Sequence, residues 1–159
     1  MISRVAFFHG LESLPRTEKN EMLEKEFDFV FAPPMDYYNP LIFDNVLNIL
    51  EENPVDYLIG SSMGGFFAYQ LSTLLGIPTL LFNPAVHGRS INPPVKTGDL
   101  KVHHTLVLGE KDDIIDPFVT SRWFNDNKEN TFINYESIGH RIPADVFNKW
   151  INNIKKIRR

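Results

Sequence analysis

Residues 57–76, YLIGSSMGGFFAYQLSTLLG, decide how this chain is read. A short apolar run stops at Gly60, Ser61, Ser62, Met63, Gly64 and Gly65, and a second run with helical spacing of apolar residues begins. Small hydroxyl residues among glycines would suit a flexible linker, but the flanks are too regular for one. The knot joins a strand to a helix, and something about that junction requires residues with almost no side chain.

The same alternation extends along the chain in both directions. Short β-rich runs occupy residues 2–8, 27–32, 55–60, 77–83, 103–109 and 131–137, and helical patterns occupy 17–26, 40–52, 64–75, 117–127 and 144–157. Strands that are apolar almost throughout, separated by helices, imply an α/β protein with a parallel sheet covered on both faces. Residues 84–101, with the Pro93–Pro94 pair and two glycines, break the order and read as a long loop over the edge of the sheet. No repeat or interdomain linker interrupts the 159 residues, so residues 1–159 are expected to form a single domain.

Composition excludes several classes of function. A formal net charge of −4, with acidic and basic residues interspersed, offers no general attraction for phosphate backbones, and no nucleic acid partner is expected. The basic end, IKKIRR, suits the solvated last turn of a helix. Cysteine is absent, which removes disulfides and thiolate chemistry and is compatible with the cytoplasm. Gln70, Ser72, Gly76 and Pro78 interrupt the most apolar stretch, so no membrane span is expected. The five histidines include no H-E-x-x-H pattern, and GSSMGG lacks the lysine of a phosphate-binding loop, so neither a metal nor another cofactor is expected.

The knot itself fits G-x-S-x-G, with Ser62 on a sharp strand-to-helix turn that lifts its hydroxyl clear of the backbone. Side chains at 60 and 64 would collide as such a turn tightens. A serine hydroxyl is a weak nucleophile at neutral pH and needs a base, which in turn needs an acid to orient it. His140 lies in the loop after the sixth strand, between Gly139 and a helix begun near Pro143, and is taken as the base. The acid falls in the loop after the fifth strand, where Asp112 is preferred, Asp113 is the alternative, and Asp116 before Pro117 is read as a helix cap. Charge developing on a carbonyl oxygen needs backbone donors, and the amides of Met63 and Leu11 are expected to supply them. His9, ahead of Ser62 in the chain, is expected to hold the first loop in shape.

The motifs FFHGLESLPRTEK, GSSMGG, FNPAV, GEKDDIID and IGH together resemble the α/β-hydrolase superfamily, and within it the small bacterial YqiA-type esterases. The resemblance runs the length of the chain. It implies a minimal α/β-hydrolase fold with six parallel strands ordered 2-1-3-4-5-6, helices on both faces, and little or no cap. It implies also a triad of Ser62, Asp112 and His140, with Leu11 and Met63 as oxyanion donors. The expected activity is that of a serine esterase or thioesterase acting on a small acyl ester through an acyl-enzyme. The rival expectation is a catalytically silent fold serving as a binding or scaffold module. Phe66, Phe67, Tyr37, Tyr38 and the loop from Pro84 to Leu100 are the candidates for lining an apolar acyl pocket, with a core role the simpler expectation for the aromatics.

Overall fold

The computed structural model describes residues 1–11, 13–14, 16–127 and 130–157. Arg158 and Arg159 of the basic end, and Glu12 and Pro15 of the first loop motif, lie outside the described residues. The strands are β1 (Arg4–Phe8), β2 (Phe29–Phe31), β3 (Tyr57–Ser61), β4 (Thr79–Phe82), β5 (His104–Gly109) and β6 (Thr131–Glu136). The helices are α1 (Glu18–Glu26), α2 (Ile42–Glu52), α3 (Met63–Leu75), α4 (Pro117–Asn127) and α5 (Ala144–Lys155). The strands form one parallel sheet in the order β2-β1-β3-β4-β5-β6, so the expected α/β class and strand order hold.

Alternate residues of each strand point to opposite faces, and the two faces build two cores. Ala6 and Phe8 of β1 join Leu58, Leu81 and Leu106 beneath α2, α3 and α4. Val5 and Phe7 join Ile59, Leu80, Phe82 and Val107 beneath α1 and α5. Phe67 of α3 is fully buried against the rings of Phe8, Tyr37 and Phe43. Truncating such a side chain to alanine typically costs about 3–5 kcal/mol.

Residues 83–103, which join β4 to β5, contain no helix and do not lie where the sequence suggested. Both strands they connect are interior, and the segment crosses the outer side of α3 instead of the sheet's edge. The Gly98 N–H donates to Thr73 Oγ1 at 2.8 Å, Leu100 N–H to the Thr73 carbonyl at 3.0 Å, and Thr97 Oγ1 to Gln70 Oε1 at 2.8 Å. The physical reason is that α3 is buried all round from Met63 to Thr73, polar Gln70, Ser72 and Thr73 included. A helix with sheet on one side and chain on the other needs that second cover. Among the described residues no helix is long and apolar enough to cross a membrane.

Candidate active site

In this strand order β1 and β3 are neighbours whose following segments depart to opposite sides of the sheet, which opens a crevice at their carboxyl ends. Ser62 stands there, between β3 and α3, with φ 56° and ψ −117°. That is a conformation few residues with a side chain adopt. Its neighbours show why the knot is built from glycine. A Cβ at Gly60 would lie 2.2 Å from the Gly64 carbonyl oxygen, and one at Gly64 would lie 2.0 Å from that of Phe8. At Gly65 the nearest atom would be Pro84 Cα at 3.0 Å. The turn is thus pressed against itself, against β1 and against the end of β4. Backbone bonds add to this: Ser62 N–H donates to the Phe82 carbonyl at 2.9 Å, and the Ser62 carbonyl accepts from Phe66 and Ala85 at 3.1 and 2.9 Å.

Three loops from three strands converge on Ser62. His140, in the loop after β6, accepts from Ser62 Oγ at its Nε2 (2.9 Å) and, with a proton on Nδ1, donates to Asp112 Oδ2 at 2.8 Å. The Asp112 side chain is fully covered while that of His140 is 17% exposed, so the carboxylate is sealed and the imidazole faces the cleft. Asp112 Oδ1 accepts the N–H groups of Ile114 and Ile115, each at 2.9 Å, which fixes the carboxylate on its own loop. Asp113, the alternative acid, is exposed and outside this chain of contacts. Asp116 accepts from Phe118 N–H at 2.8 Å, as a cap at the start of α4.

The loop after β1 closes the other side. A Cβ placed on Gly10 would sit 3.5 Å from Ser62 Cβ, so the Gly10 backbone passes directly beside the serine. Leu11 and Met63 line the same cleft as Ser62 and His140. Met63 is the first residue of α3, in the turn whose amides have no helical carbonyl to bond. His9 is buried and holds this loop from behind. Its Nε2 accepts from Met35 N–H at 3.0 Å, its Nδ1 donates to the Gly10 carbonyl at 2.7 Å, and its own carbonyl accepts from the Tyr37 hydroxyl. Burial raises the Tyr37 hydroxyl pKa well above its ordinary value, which keeps it a donor.

Two features were missed from sequence. The first is Asn83, with φ 42° just after β4. Its Oδ1 accepts from Gly109 N–H at 2.8 Å, and its Nδ2 donates to the carbonyls of His140 at 2.9 Å and Gly139 at 3.2 Å. One amide side chain therefore ties the end of β5, which leads to Asp112, to the loop that carries His140. An asparagine directly after an apolar strand was the only signal. The second is the aliphatic side of the cleft, whose volume is about 570 Å³ and whose lining includes Leu14, Ile114, Ile115 and Ile142, whereas the expected loop from Pro84 to Leu100 does contribute Ala85, Gly88, Arg89 and Ser90. The aromatic candidates are elsewhere: Phe66, Phe67 and Tyr37 are core residues, and Tyr38 is exposed at 71%. Among the described residues no group of three or more His, Asp or Glu is placed to hold a metal ion.

A parallel sheet in this order, with a strained serine turn after the third strand, has the α/β-hydrolase fold. Solved structures of similar shape bear this out. A protein of the α/β-hydrolase superfamily from Xanthomonas campestris matches with a TM-score of 0.70 at 19% identity, over 95% of this chain and 98% of the other. An esterase of Pyrococcus furiosus matches at 0.72 and 15%, over 97% and 81%, and a monoacylglycerol lipase of Paleococcus ferrophilus at 0.69 and 15%, over 96% and 93%. Residues 4–114 match the model of the Uncharacterised protein family (UPF0227), and the chain belongs to that YqiA-type family. No curated protein matches the chain at a significant level.

Proposed function

We propose that this protein is a serine hydrolase that cleaves small acyl esters or thioesters, with Ser62 as nucleophile, His140 as general base and Asp112 as the acid that orients it. The observation that carries this reading is the unbroken line of contacts from Ser62 Oγ through His140 to a sealed Asp112. The names esterase and monoacylglycerol lipase, borne by proteins of similar fold, add support.

In the proposed reaction Ser62 Oγ attacks the ester carbonyl carbon while its proton passes to His140 Nε2. The carbonyl oxygen takes up negative charge and is met by the N–H groups of Met63 and Leu11, the former at the positive end of α3. Collapse of the tetrahedral intermediate breaks the bond to the alcohol or thiol, which leaves with the proton from His140. Water then attacks the acyl-enzyme, losing a proton to His140, and the second tetrahedral intermediate collapses by breaking the bond to Ser62 Oγ, which takes that proton back from His140 as the carboxylic acid leaves. Asp112 stays ionised throughout and stabilises the imidazolium.

A fluorophosphonate probe tests the reading. It is expected to modify Ser62, and Ser62→Ala is expected to lose both labelling and ester turnover, the latter by roughly 10⁵-fold or more, while remaining folded. A wild-type protein that is neither labelled nor active on any ester would overturn the proposal in favour of a silent binding fold.

A further inference from the structure

The lining of the cleft carries three cations, Lys19, Arg89 and Arg141, and among its described residues no carboxylate. This is notable in a chain of net charge −4. Asp112 is engaged with His140 and two backbone amides, with its side chain fully covered.

Arg89 is the best built of the three. It follows β4 on the 83–103 connection, and its guanidinium carbon lies over the Phe66 ring, 4.0 Å from the centroid. Nη1 donates to the Ala85 carbonyl at 2.9 Å, while Nε is covered and has no hydrogen-bond partner among the described residues. No ion pair with a described carboxylate neutralises it. An arginine so placed has its stem and one edge fixed by the protein and its charge unanswered, which is the arrangement that suits a fork-like grip on an oxyanion. Burial also lowers its pKa from the ordinary arginine value, a cost that an anion would offset. Phe66 is one helical turn beyond Ser62, since its N–H bonds the Ser62 carbonyl, so the ring under the guanidinium belongs to the first turn of α3, and Arg89 and Ser62 line the same cleft.

On the opposite wall Lys19 of α1 reaches in over the Phe147 ring, with Arg141 next to His140 in sequence. Burial, together with the Arg141 guanidinium, holds the Lys19 ammonium below the usual lysine value, and Glu18 opposes this only in part. Two cations kept close at the mouth of a cleft repel each other unless something negative comes between them.

We infer that the cleft selects an ester carrying an oxyanion group, carboxylate or phosphate, a few atoms from the scissile carbonyl, gripped by Arg89 and drawn in by Lys19 and Arg141. The inference deepens the reading of Ser62 as nucleophile and rests on it for turnover. Neutral short-chain esters then become poor stand-ins for the preferred substrate. The cations act on binding and orientation, and the bond broken remains the ester bond at Ser62.

The test compares nitrophenyl esters whose acyl chain ends in a methyl, a carboxylate or a phosphonate, with a second series that carries these groups on the leaving alcohol. In at least one series an anionic member is expected to exceed its neutral partner about tenfold or more in kcat/KM, mainly through KM, in keeping with one charge-assisted hydrogen bond. The carboxylate and phosphonate arms identify which anion is preferred. The advantage should shrink in high salt and fall by about tenfold in Arg89→Met, which keeps apolar contact with Phe66, and further in Lys19→Gln. Circular dichroism of each variant guards against misfolding. Binding of the same esters to Ser62→Ala separates this inference from the proposed chemistry, because it requires no turnover. Equal affinity for neutral and anionic esters in both series, or an anionic advantage untouched by Arg89→Met and Lys19→Gln, would overturn it. Absence of fluorophosphonate labelling would instead overturn the role of Ser62.

Discussion

The turn at residues 60–65 and the connection at 83–103 leave neighbouring strands, β3 and β4, yet they are held in different ways. The turn is fixed by backbone pressed on backbone, with no space for a Cβ at Gly60 or Gly64 and a positive φ at Ser62 between them. The connection is held by scattered side-chain and backbone bonds, at Asn83, at His87 against Asp116 and Thr120, and at Gly98 and Leu100 against Thr73, and between them Gly88 and Ser90 are exposed. A reacting atom must sit within a fraction of an ångström of its partners, and steric closure on all sides achieves that. A wall that chooses the substrate can instead be carried on a segment free to vary in sequence, provided it is anchored.

Apart from loss of the proposed nucleophile itself, the largest effect expected from a single polar change lies on the sealed side of the site. Asp112→Asn should lower kcat by roughly 10⁴-fold through the wrong tautomer and orientation of His140. Asp116→Asn should leave kcat nearly unchanged, since asparagine also caps a helix. Steady-state kinetics on one ester would check both, and the opposite ranking would show that the acid has been misassigned.

Next in size is a contrast between glycines. Gly64→Ala would force its Cβ into the Phe8 and His9 carbonyls at 2.0 and 2.6 Å, and both are backbone atoms unable to swing aside. Denaturant unfolding should register a loss of about 3–4 kcal/mol, or no folded protein at all. Gly88→Ala, on the connection, meets nothing closer than 3.8 Å and carries only the strain of φ +65°. Its loss should be about 1 kcal/mol. Similar losses at the two positions would break the distinction between closure and anchoring.

Asn83, the first residue of the connection, ranks third. Asn83→Ala removes the bond to Gly109 N–H and both bonds to the His140 loop, so the base and its acid lose their common brace. A shift of about 1 Å at His140 would lower kcat by roughly 10²-fold with little change in KM. A parallel fall in the rate of fluorophosphonate labelling would mark the effect as one on Ser62 activation. Unchanged kcat would mean that the loop holds its shape without the side chain.

Much of this was legible from residues alone, and the exceptions have physical causes. Strands such as Thr79–Phe82 and His104–Gly109 are buried throughout, so their apolar runs are unambiguous, and the helices are found within two residues of their expected ends. That Ser62 and His140 would meet was readable because a strained turn and a loop after the last strand each have a local signature. The choice of Asp112 over Asp113 was only a preference in sequence, because adjacent residues on a loop point in directions that packing decides. The cationic wall was invisible: Lys19, Arg89 and Arg141 come from three separate segments, and nothing local marks them as neighbours. The path of residues 83–103 was misread for a similar reason, since the need to cover α3 is a property of the assembled core.

The smallest effects should come from that connection's own anchors, and they differ in kind. Thr73 is buried and accepts Gly98 N–H at its hydroxyl, so Thr73→Val leaves a backbone donor without its partner against α3. The Thr73 carbonyl still holds Leu100, and Thr97 still bonds Gln70, so the loss should be limited to about 1–2 kcal/mol. Lys96 reaches Asp44 at 2.6 Å across to α2, but both side chains are largely in water, with 62% and 45% exposure. Exposed pairs of this sort contribute about 0.5 kcal/mol or less and weaken with salt. A double-mutant cycle between Lys96→Gln and Asp44→Asn should therefore give a coupling near the limit of measurement, while Thr73→Val is clearly destabilised in the same denaturant titration. Neither change touches the packed turn at Ser62, so turnover of a neutral ester should stay within about twofold in Lys96→Gln. A strong coupling between Lys96 and Asp44 would mean that surface charge, and not the buried backbone bonds to Thr73, holds this wall of the cleft in place.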